Sequence, residues 1–157
     1  MAPATVLALH VAPRRGAPPE ARAQVELRPG EGVVGDRHFR RGAAPTRRRA
    51  LTLVAAEDLE ALARQGLALP PAATRRQVLV RGVDLATLVG QRFRLGPALV
   101  EGTGPCTPCA HLEALTQPGV ERALQGRAGI TARILEGGTL AVGDALVPLG
   151  PAGRGAR

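Results

Sequence analysis

The segment RFRLGPALVEG, Arg92 to Gly102, decides the architecture. Two short runs are broken at Gly96-Pro97, which reads as a β-hairpin turn. A second segment, ITARILEGGTLAVGD from Ile130 to Asp144, has the same form. Its turn is expected at Gly137-Gly138, where a positive φ costs nothing. Working outward, Thr5 to Val11 alternates like a first strand, and Ala23 to Arg28 alternates around Val25 and Leu27 before Pro29-Gly30. Arg49 to Val54 and Gln77 to Val80 read as further strands. Strands closed by Gly-rich turns, with few helices between them, point to a β-barrel-like domain with helices at its ends.

The helical signal is short. Ala55 to Arg64 places Leu59 and Leu62 on one face, Ala63 widens it, and Gly66 stands where a C-terminal cap belongs. Asp84 to Val89 reads as about one turn, and Ala110 to Leu115 and Gly119 to Leu124 as short helices separated by Pro118. Glu31 to Arg41 reads as a long surface loop. No internal repeat or linker divides the chain. One domain is expected over 1–149, with 150–157 as a frayed tail.

At 157 residues one domain can bury roughly two thirds of its unfolded surface. Its core must be aliphatic, because Phe39 and Phe93 are the only aromatic residues. Two cysteines make no disulfide framework. The first residues, MAPATVLALHVAPRR, lack the basic start of an export signal, and no run approaches the ~18 apolar residues of a membrane helix. A cytoplasmic protein with free thiols and no membrane partner is expected.

The formal charge is +8, and every basic residue behind it is Arg. Nucleic acid is set aside as a partner, since two Phe supply few stacking platforms and GC-rich coding alone yields Arg with Ala, Gly and Pro. The lack of Lys rules out a pyridoxal-phosphate Schiff base.

Three constellations carry chemistry. GVVGDRHFRR, Gly32 to Arg41, offers glycines for close backbone approach and arginine forks for an anion. Read blandly, it is a solvated loop in which Asp36 caps a turn or pairs with Arg37. Arg47-Arg48-Arg49 and Arg75-Arg76 add cations, of which a strand sends about half to either face; Arg47 is assigned to plain surface. GPCTPCAHL, Gly104 to Leu112, holds both thiols. It fits a zinc site with Cys106, Cys109 and His111, a redox pair, two inert thiols, or a single working cysteine. Cys109 is the preferred nucleophile or metal ligand, because the helix-like AHLEAL follows it and helix amides stabilise a thiolate.

In order, these pieces resemble a MOSC domain, the module named for the C-terminal part of molybdenum-cofactor sulfurases. The matching segments are GDRH from Gly35, RALTLVAAEDLEAL, TRRQVLVRGVDLATLVGQRFRLG, GPCTPCAHL and GRAGITARILEGGTLAVGDAL, and the resemblance covers roughly Ala4 to Val147. The resemblance implies a mostly β fold, a MOSC-type (pyruvate-kinase-like) barrel of mainly antiparallel strands with a few short helices. It implies a molybdenum-pterin cofactor, or carriage of its sulfur, through the second loop cysteine, Cys109. Arg37, Arg49, Arg75 and Arg76 would then hold the pterin phosphate, with Gly35, Asp36 and His38 shaping the loop. Such proteins include reductases of N-hydroxylated small molecules fed by a separate electron-donating reductase, and sulfur carriers served by a cysteine desulfurase. A basic zinc- or nucleic-acid-binding domain is the remaining alternative. One departure stands out: the family's usual Arg-Asn is Arg76-Gln77 here, one methylene longer.

Overall fold

The computed structural model describes residues 3–107 and 116–152. Among them, Gln91–Leu95 (β7) and Ala98–Pro105 (β8) form the first hairpin as expected, closed by Gly96-Pro97 with Gly96 at φ +56. The other barrel strands are Ala4–Val11 (β1), Leu51–Ala55 (β5), Val78–Arg81 (β6), Ile130–Glu136 (β9) and Ala145–Pro151 (β11). Their order is β11-β7-β8-β9-β5-β6-β1, and Ala4↔Leu146 with Thr5↔Ala145 joins the ends into a closed seven-stranded barrel. Closure leaves no free edge in the ring. Glu20–Arg22 (β2) extends β1 outside the ring. A small second sheet contains Gln24–Arg28 (β3), Gly32–Val33 (β4) and Gly138–Ala141 (β10), with β3 in the middle. The mostly β, barrel-type architecture read from the sequence is borne out.

One pair in the ring, β5 and β6, is parallel. Parallel neighbours require a crossover, and the helix Ala56–Arg64 (α1) supplies part of it. Every residue of β5 is buried because both of its faces are covered. Leu51 and Leu53 enter the barrel core with Phe93, Leu95 and Ile134; Val54 faces a second core under Leu59 and Leu62 of α1. The helix ends as the sequence foretells: Gly66 at φ +84 donates to the Ala63 carbonyl and Leu67 to that of Leu62. Ala63 is exposed, however, and the face is widened by Ala56 instead.

Three expectations are corrected. The second hairpin does not form: β9 pairs with β5 and β8, while β10 pairs with β3. At Gly137 the backbone passes so close to β3 that a Cβ would sit 2.2 Å from the Leu27 carbonyl oxygen. Gly138, at φ +152, lies against Pro97. The segment is therefore a corner between two sheets. The Glu31 to Arg41 stretch is not a simple surface loop either, since β4 pairs with β3 and Asp36 is buried. Finally, Gly150 and Pro151 pair with Arg92 and Gln91, so β11 runs past the expected boundary at 149. Residues 153–157 lie outside those described. No helix among the described residues is long and apolar enough to cross a membrane.

Close backbone contacts give a test of the packing. An alanine Cβ at Gly129 would lie 1.9 Å from the Leu53 carbonyl oxygen, at φ +91. At Gly16, φ is +77 but the space is open. Gly129→Ala should cost about 3 kcal/mol or more and Gly16→Ala about 1 kcal/mol in urea unfolding; equal costs would contradict the close approach.

Candidate functional site

The site is built where the segment after β4 folds back on the start of the parallel pair. Gly35 at φ +92 turns the chain, and the Asp36 amide donates to the Val33 carbonyl at 3.1 Å. Asp36 and Arg37 then grip Ala12, just beyond β1. The Ala12 N–H donates to Asp36 Oδ1 at 2.9 Å, and the Arg37 N–H donates to the Ala12 carbonyl at 2.8 Å. Asp36 Oδ2 accepts from the His38 amide and from Gln77 Nε2, both at 3.0 Å. Both carboxylate oxygens of this buried aspartate are therefore occupied by N–H donors.

Gln77 continues the joint. Its Oε1 accepts from the Thr52 amide at 3.0 Å, and its own backbone N–H donates to Thr52 Oγ1 at 3.1 Å. Its carbonyl accepts from the His10 amide at 2.8 Å. The side chain with the extra methylene noted in the sequence thus bridges β5 and Asp36. Neither the pairing nor the burial has a local sequence signal, since the partners lie 25 and 41 residues away.

Around this joint stand the arginines singled out in the sequence. Arg75 is the only non-glycine residue at positive φ among those described, φ 61, closing the 3-10 turn Pro71–Thr74. That conformation costs on the order of 1 kcal/mol, and the side chain reaches the connection between β1 and β2, where Arg75 Nη2 donates to the Ala17 carbonyl at 3.0 Å. Arg76 donates through Nε to the Ala128 carbonyl at 2.9 Å, with a longer contact from Nη1 to the Thr74 carbonyl at 3.5 Å. Arg37 and Arg49 make no side-chain hydrogen bond among the described residues. The ion pairs among the described residues fall on Arg22, Arg28, Arg81, Arg92, Arg94 and Arg133, so none neutralises this group.

The electrostatics couple several of these side chains. Burial pushes the His38 pKa below 6.5, Arg37, Arg49 and Arg40 push the same way, and Asp36 opposes them. Burial and then Arg37 lower Arg75, again against Asp36. Arg49 also reaches Cys106, whose thiol is raised by burial and lowered in part by Arg76 and Arg49. The sequence-predicted Asp36, Arg37, His38, Arg49 and Arg75 thus lie within electrostatic reach of one another, and Arg76 adjoins them as the chain neighbour of Arg75 and Gln77, acting with Arg49 on Cys106. Gly35 provides the turn; a Cβ there would meet open space, so its positive φ is what the position demands.

Arg47, assigned to plain surface from the sequence, is a clamp. Its Nη1 donates to the Gly30 and Glu31 carbonyls at 3.2 and 2.8 Å, and its Nη2 to that of His38 at 2.7 Å. Arg48 is held apart from the cluster by the Thr103 carbonyl. Cys106 follows β8 into the second core, its N–H on the Gly129 carbonyl at 2.8 Å. A buried, protonated thiol is a packing group. Cys109 and His111, and the helix expected from Ala110, lie outside the described residues. Among the described residues no three His, Cys, Asp or Glu side chains gather as metal ligands. Beside Cys106 and Thr107 opens a cavity of about 570 Å³, lined in part by Asp58, Asp84, Leu85 and Gln125. Nothing in the sequence flags Asp58 or Asp84 as its lining.

The family model described as the MOSC domain matches residues 16–147. The chain belongs to the MOSC domain family. The match contains every arginine of the cluster. No curated protein sequence matches the chain. Among solved structures, it is similar to YuaD from Bacillus subtilis, at 22% identity and a TM-score of 0.77, covering 92% of this chain and 94% of that one. It is also similar to YiiM from Geobacillus stearothermophilus, at 18% identity and a TM-score of 0.73, covering 94% and 75%. For YiiM from Escherichia coli the values are 19%, 0.68, 92% and 69%. These likenesses establish the MOSC fold.

The histidine environment fixes a pH dependence. His10 is also lowered, by burial. Between their depressed folded values and 6.5 the unfolded chain binds protons that the native state refuses. Stability therefore falls as pH drops through this window and is flat above it. Urea unfolding midpoints should decline from about pH 7 to about pH 5, and His38→Gln, which cannot titrate, should reduce the slope. An unchanged slope would place His38 in ordinary solvent.

Proposed function

We propose that this MOSC domain binds the molybdenum-pterin cofactor, with Arg37, Arg49, Arg75 and Arg76 receiving its phosphate and Cys109 serving as thiolate ligand or sulfur carrier. The supporting observation is that these four guanidinium groups have no ion-pair partner among the described residues, while the aspartate in their midst has both oxygens filled by N–H donors. Surface arginines normally find a carboxylate or bulk water; arginines crowded enough to help depress the pKa values of His38 and Arg75 call for an anion. A phosphate dianion fits that donor set, and a soft thiolate fits the metal. When bound, the cofactor would supply two-electron chemistry at molybdenum, such as reduction of an N-hydroxylated small molecule.

This chain's own residues do the holding. Arg75 and Arg76 are steadied by backbone carbonyls and keep further N–H donors for an anion. His38, kept neutral by burial and its cationic neighbours, offers a hydrogen bond without adding charge. Arg47 keeps the loop backbone in place from behind. The cavity next to Thr107 is large enough for a small substrate, close in sequence to Cys109. Turnover would draw electrons from a separate reductase; in the sulfur-carrying form, a cysteine desulfurase would load Cys109.

Protein made in a host that synthesises the cofactor should contain molybdenum by elemental analysis and release a fluorescent pterin on oxidation. Arg75→Ala and Arg49→Ala should lower the content of both, and Cys109→Ala should lose the metal. Absence of molybdenum and pterin from wild type would sink the assignment, and zinc lost on mutation of either cysteine would make the loop structural.

A further inference from the structure

Asp36 is the acid closest in sequence to Arg37 and is electrostatically coupled to Arg75 and His38, yet it forms no ion pair among the described residues. The reason is geometric. Oδ1 is taken by the Ala12 amide, and Oδ2 by the His38 amide together with Gln77 Nε2. Two of the three donors are backbone amides that belong to the fold; Gln77 alone contributes a side-chain donor. That amide is itself fixed, because its Oε1 is tied to Thr52 of β5. A hydrophobic side chain of the same length would fill the space and leave Oδ2 one donor short in a field of guanidinium groups.

Resting on the anion site described above, we propose that Gln77 is a positioning residue that keeps Asp36 engaged, so that Arg37 and Arg75 stay free to receive a dianion. Without the amide, Asp36 turns its unsatisfied oxygen to the nearest guanidinium and competes with the ligand from inside the site. Gln77 touches no ligand; it acts through Asp36. Of the charged and titratable groups around the pair, His38 and Arg75 are coupled to Asp36 directly, Arg37 acts on both of them, Arg40 and Arg49 act on His38, and His10 is joined to Gln77 through the backbone.

The test is sulfate binding by calorimetry on the full chain, because sulfate stays a dianion throughout the pH range used. Wild type should bind, and Gln77→Met should bind about tenfold more weakly while remaining folded by circular dichroism. Asp36→Asn should raise sulfate binding when added to Gln77→Met, by removing the competing charge, and should not raise it in the wild type, where both Asp36 oxygens are already engaged. A second variant avoids dependence on folding of the first. Gln77→Glu is isosteric; when protonated it donates to Asp36 as the amide does, and when ionised it cannot. Its affinity relative to wild type at the same pH should be near one at about pH 5 and fall by about pH 8.

A merely structural role would leave Gln77→Met unrescued by Asp36→Asn, because the lost packing would persist. Equal affinity of Gln77→Met and wild type, or an equal effect of Asp36→Asn in both backgrounds, overturns the role of Gln77 and leaves the anion site standing. Failure of wild type to bind sulfate overturns the anion site and this inference together.

Discussion

A carboxylate inside the protein holds this structure together because its charge has nowhere else to go. Leaving an ionised aspartate unpaired in a buried place costs several kcal/mol at least. Asp36 avoids that cost only if Ala12, His38 and Gln77 stand where they do. Those three come from just beyond β1, from the loop itself and from just before β6. Gln77 in turn binds Thr52 of β5. One charge thereby fixes the relative placement of both strands of the parallel pair, the first barrel strand and the segment bearing Arg37 and His38. Misplacing any one of them leaves the charge short of a donor, which makes the joint cooperative.

The same arrangement explains how a positively charged site survives in a folded protein. Like charges repel, and the lowered pKa values of His38, Arg47 and Arg75 register their burial and that repulsion together. The strain is borne by backbone carbonyls rather than by acids: those of Ala17 and Ala128 hold Arg75 and Arg76, and those of Gly30, Glu31 and His38 hold Arg47. A carbonyl dipole steadies a guanidinium without cancelling its charge. The net field stays positive, and any dianion that enters relieves it and stabilises the folded state by mass action.

What the sequence makes legible follows from range. Alternation at Val25 and Leu27, or the two runs around Gly96-Pro97, is a local signal and places strands correctly. The glycine pair at 137 and 138 carries an equally local signal and misleads, because a turn within one sheet and a corner between two sheets ask for the same residue. Only Leu27 and Pro97, distant in sequence, distinguish them. Asp36 reads as a turn cap from its neighbours, and it is one, since it accepts from the His38 amide. Its contacts with Ala12 and Gln77 come from remote parts of the chain. For Cys106 the sequence leaves several roles open, but Gly104-Pro105 end β8, and the thiol follows the strand into the core. Resemblance to a family gathers the arginine cluster for the same reason: an ordered set of motifs carries long-range information that spacing alone lacks.

Arginine-only composition has a chemical consequence whether or not coding bias produced it. A lysine offers one nitrogen, so a lysine held by a carbonyl has its charge centre at that carbonyl. A guanidinium spreads five N–H donors over three nitrogens in a plane. Arg76 anchors Nε on Ala128, and Arg75 anchors Nη2 on Ala17, with other nitrogens of each still able to face a ligand. Arg47 uses two nitrogens for three carbonyls, a span a single ammonium could not cover with the same geometry. A site whose cations must be held rigidly without being neutralised selects arginine on these grounds. For Arg75 and Arg76 the preorganisation comes from the backbone, and binding of the proposed anion would spend little on fixing those two side chains.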